Sequence, residues 1–84
     1  MNKLEINRQE INQIDDELVR LFEKRVHCVK EIGKYKKEHN LPILDEKREE
    51  LVLKRNLEKV SDELKPYAKE FFIHLMDIMK EIEK

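Results

Sequence analysis

Eighty-four residues make one domain at most (1–84), and a domain this small buries only about 60 to 65% of the surface its extended chain exposes. With 39% hydrophobic residues, 44% charged residues and a mean hydropathy of -0.80, the core must be thin, which favours long helices sharing a core between two copies. A net charge of -1 from 18 basic and 19 acidic side chains gives no field to recruit nucleic acid or an anionic membrane, and no apolar run approaches the ~20 residues that span a bilayer, so a cytoplasmic protein is the simple reading.

The first element is a long helix from Glu5 to about Glu38, a stretch with no Pro and one Gly. Leu4, Ile11, Ile14, Leu18, Leu21, Cys28, Ile32 and Tyr35 recur at helical spacing, with Asn7 and Arg25 at two seam positions where a core prefers Leu. Such a helix runs roughly 50 Å, longer than a compact domain of this size is wide. It needs a partner along its length. Met1 to Leu4 reads as a frayed lead-in, with Asn2 or Asn7 as the cap. Cys28, alone and on the apolar face, reads as a small buried hydrophobe rather than a nucleophile. Gly33 should cost about 1 kcal/mol inside a helix, and close packing against a neighbouring helix is the expected compensation.

His39-Asn40-Leu41-Pro42 breaks the pattern, because the residue before a proline is pushed out of the helical region. A second helix starts at Asp45, whose carboxylate can cap free N–H groups, and runs to about Val60 behind a narrow stripe of Leu44, Leu51, Val52, Leu57 and Val60. Ser61 to Pro66 forms the second linker, with Pro66 suited to a first helical turn. Tyr67, Phe71, Phe72, Leu75, Met76, Ile78, Met79 and Ile82 then give a third helix a broad apolar face. The fold class is all-α. Helices of about 34, 15 and 17 residues leave half of the first uncovered in a lone bundle, whereas pairing two chains gives an intertwined six-helix homodimer.

Charges on these faces are the functional signal. Arg25, Val29, Ile32 and Lys36 advance by four, three and four residues, so two cations share a face roughly 16 Å apart and can hold a small anion between them. Arg25 can equally pair with Asp45 or Glu49. Arg8 lies on the same strip but about 26 Å from Arg25, within reach of the segment from Arg25 to Lys36 only when two long helices lie antiparallel. Asp45, Arg48, Glu49 and Val52 follow one face of the second helix, either as a ligand-binding edge or as a capped, charge-paired first turn. Phe72, Met76, Met79 and Glu83 make a stripe that ends in an acid. No metal-ligand spacing, Gly-rich phosphate loop or nucleophile with its base is present, and no metal or cofactor is expected.

Arg8, Asp15, Arg25, the run KEIGKYK ending at Lys36, LPILDEKREE at 41–50 and FFIHLMDIMKEIEK at 71–84 together resemble the all-helical chorismate mutase family over essentially the whole chain. The resemblance implies an intertwined homodimer of three-helix protomers that rearranges chorismate to prephenate, with two sites each closed by an arginine of the other subunit. Arg8 matches that crossing arginine, Arg25 the in-chain carboxylate-binding arginine, and Lys36 the lysine at a carboxylate and the ether oxygen. Asp45 and Glu49 match the positions that bind the ring hydroxyl, with Arg48 the arginine between them. The third helix departs from the common pattern of a Ser or Thr four residues before a Gln, having Met79 and Glu83 there; a register slipped by one residue would instead put Lys80 and Lys84 at these positions. The apolar phase favours Met79 and Glu83.

A pericyclic rearrangement needs neither base, nucleophile nor metal, only a held conformer and a stabilised ether oxygen, and the charged residues match those tasks. Glu83 can assist Lys36 at that oxygen only when protonated. A second shikimate-pathway enzyme is an open partner. The same scaffold resembles isochorismate pyruvate-lyases, which a product assay separates from the mutase. A non-catalytic helical dimerisation module is the remaining alternative, and it would tolerate Arg25→Leu.

Overall fold

The computed structural model describes residues 2–84, which form three helices: α1 (Lys3–Glu38), α2 (Glu46–Leu57) and α3 (Lys65–Glu83). Asn2 caps α1, its side chain accepting from the Glu5 N–H at 2.9 Å. The helix is therefore regular from Lys3 rather than frayed through Leu4, and Asn7 is no cap, since its amide donates to the Lys3 carbonyl one turn back. Met1 lies outside the described residues.

The end of α1 is closed by two backbone bonds, Leu41 N–H to the Lys36 carbonyl at 2.8 Å and Asn40 N–H to the Lys37 carbonyl at 3.3 Å. This is the Schellman arrangement, and Asn40 takes the left-handed φ of 54° that it requires. Asn adopts that conformation more readily than other residues with a side chain. Asp45 caps α2 by accepting from the Arg48 N–H at 3.0 Å. That helix stops at Leu57, one turn short of the expected Val60, as Lys59 N–H and Val60 N–H turn to carbonyls three residues back. A single 3-10 turn at Asp62–Leu64 leads into α3, which begins at Lys65 with Pro66 in its first turn.

The helix α3 packs against both α1 and α2, whose backbones do not approach each other. It runs in the same direction as the second half of α1: Leu18 and Phe22 stand at the level of Tyr67 to Ile78, and Gly33 meets Glu83. A Cβ on Gly33 would lie 2.6 Å from the Glu83 carbonyl oxygen, so the glycine is what lets the two backbones approach this closely. Only Val29 and Met79 form a buried apolar core among the described residues. Leu4, Ile11, Ile14, Leu18 and Leu21 are each about half exposed, and the whole segment 2–24 lies open to solvent. Cys28 is exposed as well, against the expectation of a buried residue, because α2 stands too far off to cover it.

Candidate functional site

Where α1 and α2 diverge, α3 floors a cavity of about 300 Å³. Its position follows from the fold: two helices held apart by a third leave a cleft between them. Helix α1 lends Arg25, Val29, Ile32 and Lys36 to the walls; α2 and the segment before it lend Ile43, Asp45, Arg48, Glu49 and Val52. Met76, Met79, Lys80 and Glu83 of α3 complete it.

Seven of the eight residues singled out from sequence thus share one cavity: Arg25, Lys36, Asp45, Arg48, Glu49, Met79 and Glu83. Arg8 is not among them, lying on the exposed first half of α1. On α3 the side chain of Glu83 is 10% exposed and that of Lys84 61%, so the register with Met79 and Glu83 inward is the one the helix adopts.

Two ion pairs cross the cavity between helices. Lys36 Nζ stands 2.6 Å from Glu83 Oε1, and it donates its well-directed hydrogen bond to the Ile43 carbonyl at 2.8 Å. Glu83 Oε1 is consequently buried and close to a cation, yet it has no hydrogen-bond partner of proper geometry. Lys80 Nζ donates to Glu49 Oε1 at 3.1 Å and lies 3.3 Å from Asp77. The other oxygen of that carboxylate, Glu49 Oε2, is buried and unpartnered. Hydrogen bonding to Glu49, then to Asp77, pushes the Lys80 ammonium above its ordinary range despite some opposing desolvation.

Neither Arg25 nor Arg48 makes an ion pair among the described residues. The acidic partners considered for Arg25 are engaged elsewhere: Glu49 by Lys80, and Asp45 by the Arg48 N–H. Four cationic side chains therefore face three carboxylates, an excess of one positive charge in a cleft whose other walls are apolar. Such a cavity suits a small, multiply charged anion with an apolar body. Among the described residues there is no cluster of His, Cys, Asp or Glu that could hold a metal ion, and no helix long and apolar enough to cross a membrane.

Lys80 is the wall residue that the apolar phase of α3 did not assign to the favoured register. A signal existed, since Phe72, Met76 and Lys80 form one row at spacing four. A lysine at the edge of an apolar stripe can lay its stem on the stripe and carry its head to a carboxylate across the groove.

The chain is similar to known proteins in sequence and in fold. The family profile described as chorismate mutase type II matches residues 7–84. A T-protein of Haemophilus influenzae is 44% identical over 59 residues, 69% of this chain but 16% of that relative. The chain thus spans about a sixth of the length of the curated relative it matches. The solved structure of a conserved hypothetical protein from Pyrococcus furiosus superposes with a TM-score of 0.81 at 37% identity, covering 100% of this chain and 99% of the other.

Proposed function

The chain belongs to the chorismate mutase type II family, and from that premise we propose that it rearranges chorismate to prephenate in the cavity between α1 and α2, for aromatic amino acid biosynthesis. One observation carries the reading: Arg25 and Arg48 line the cleft without counter-ions, beside a lysine and a carboxyl group that meet at 2.6 Å. The reaction breaks an ether C–O bond as a C–C bond forms within one molecule. Its demands are a substrate held in the reactive diaxial chair and a countercharge for the oxygen that becomes negative.

The residues divide those tasks. Arg25 grips one carboxylate through its forked guanidinium, a geometry that a lysine could not reproduce. Lys36, fixed by the Ile43 carbonyl, stands at the ether oxygen. Glu49 Oε2 accepts from the ring hydroxyl, with the backbone at Asp45 on the same group, and Arg48 lies between them. Met79 supplies an apolar wall where the commoner family pattern has a hydroxyl. Glu83 completes the set at the ether oxygen once it carries a proton.

The substrate carries two carboxylates, whereas Arg25 is the one forked guanidinium assigned to them within a chain. Arg8 of the partner subunit supplies the second, in a homodimer that also covers the exposed row from Leu4 to Leu21. The reading is tested by incubating the purified chain with chorismate and following its loss and the appearance of prephenate. Salicylate and pyruvate formed from isochorismate would point to the lyase, and no turnover of either substrate would leave a helical interaction module.

A further inference from the structure

Lys80 has no part in the mechanism above, yet it is the side chain that ties α3 to α2 across the cavity. Its ammonium takes one oxygen of Glu49 at 3.1 Å and leaves the other buried and facing nothing. We propose that Lys80 is a positioning residue: by holding Glu49 Oε1 it fixes the carboxylate and aims Oε2 at a hydroxyl group of the bound substrate. This rests on the mutase reading of the same cavity.

Three features support it. A buried carboxylate oxygen without a partner is unfavourable unless a donor arrives, and a substrate hydroxyl is the neutral donor that an anion-binding cleft would admit. The Glu49 side chain is free to rotate unless its first oxygen is anchored, and among the described residues Lys80 is the cation within reach. Asp77, 3.3 Å from the same ammonium, anchors the lysine from its own helix. The Lys80 and Glu49 side chains are 30% and 27% exposed, so the pair is solvated enough to add little to folding stability. Its effect belongs in binding.

The alternatives are that Lys80 contacts a substrate carboxylate directly, or that it is a structural tie alone. Steady-state kinetics of prephenate formation on the intact dimer separate them, using Lys80→Met, Lys80→Arg, Glu49→Gln and the Lys80→Met/Glu49→Gln double variant. Loss of a hydrogen bond made equally in ground and transition states should raise KM on the order of tenfold in Lys80→Met with kcat nearly kept. Lys80→Arg should restore KM to within about threefold, since a guanidinium can hold the same oxygen. In the Glu49→Gln background, Lys80→Met should add less than about twofold, because the group it orients is already altered. Thermal midpoints should change little.

Multiplying effects in the double variant would overturn the inference in favour of a direct contact with substrate. Unchanged KM in a folded Lys80→Met would overturn it outright, as would a lower midpoint with KM kept. Should Lys80→Met fail to fold, Lys80→Gln carries the same test. Absence of prephenate with the wild-type chain would remove the mutase reading and this inference together, whereas an active wild type with an additive cycle removes the inference alone.

Discussion

Glu83 is the residue on which the proposed chemistry turns. Its Oε1 is buried beside Lys36, but an ionised carboxylate cannot donate to the ether oxygen and would repel the charge that develops there. Glu83→Gln, whose amide donates at any pH, should therefore match or exceed the wild-type rate across the pH range. Glu83→Ala should lose about 3 kcal/mol of transition-state stabilisation, on the order of a hundredfold in turnover, with less effect on ground-state binding. Lys80 does not confuse this profile. Its ammonium is held above the ordinary 10.5, so its contribution is complete below that pH and is lost only as pH rises through the higher folded value. Identical rates and profiles for wild type, Gln and Ala would make Glu83 a bystander, and the same series at the exposed Lys84 would then be the one to run.

Helix α3 reaches this position because Gly33 offers no side chain. Gly33→Ala would add the helix propensity that glycine lacks, about 1 kcal/mol, but its Cβ would meet the Glu83 carbonyl oxygen at 2.6 Å, and a backbone atom cannot swing aside. Overpacking of this kind costs about 1 to 3 kcal/mol. The variant should melt no higher than wild type at equal concentration and lose turnover as Glu83 is pushed from Lys36. A higher midpoint with full turnover would mean that the end of α3 yields freely. These elements show where sequence suffices. Asp45, Pro66 and the break at Asn40-Leu41-Pro42 mark their boundaries by local chemistry, and the apolar phase of Met76 and Met79 turns Glu83 inward. The stop of α2 at Leu57 was not legible, since Glu58 and Lys59 are ordinary helix formers and no Gly or Pro marks the end. Nor was the bond from Lys80 to Glu49, since periodicity gives a side chain's face but not how far a flexible stem reaches.

At the scale of the molecule the chain is extended, 56 × 26 × 16 Å with a radius of gyration of 16.2 Å. A compact chain of this length would measure about 12 Å. The excess length is the first half of α1, whose Leu4, Ile11, Ile14 and Leu18 have no cover within the chain. An apolar trough between α1 and α3, lined by Leu18, Phe22, Tyr67, Phe71 and Ile78, continues that surface. Sedimentation should accordingly give a species of about twice 10.3 kDa, with a melting midpoint that rises with concentration; a stable, active monomer would remove both the dimer and the shared site. The crossing of Arg8 has its own test. Arg8→Ala and Arg25→Ala chains, each inactive alone, should regain activity when mixed, because one of the two sites in a mixed dimer has both arginines. If Arg8 served its own chain, every site would lack one of them and no mixture would recover; heterodimer formation, verified by mass, makes that comparison decisive.

The placement of α3 between two helices that do not touch also dictates an order of events on the ribosome. Helices α1 and α2 precede α3 in the chain, so both emerge from the exit tunnel before the element that joins them. Synthesis proceeds at about 5–20 residues per second, and the nascent chain spends that interval with its apolar rows bare. In that window chaperones, or the long helix of a neighbouring nascent chain, have first access to them, and the cleft between α1 and α2 comes into being only as the last helix closes beneath it.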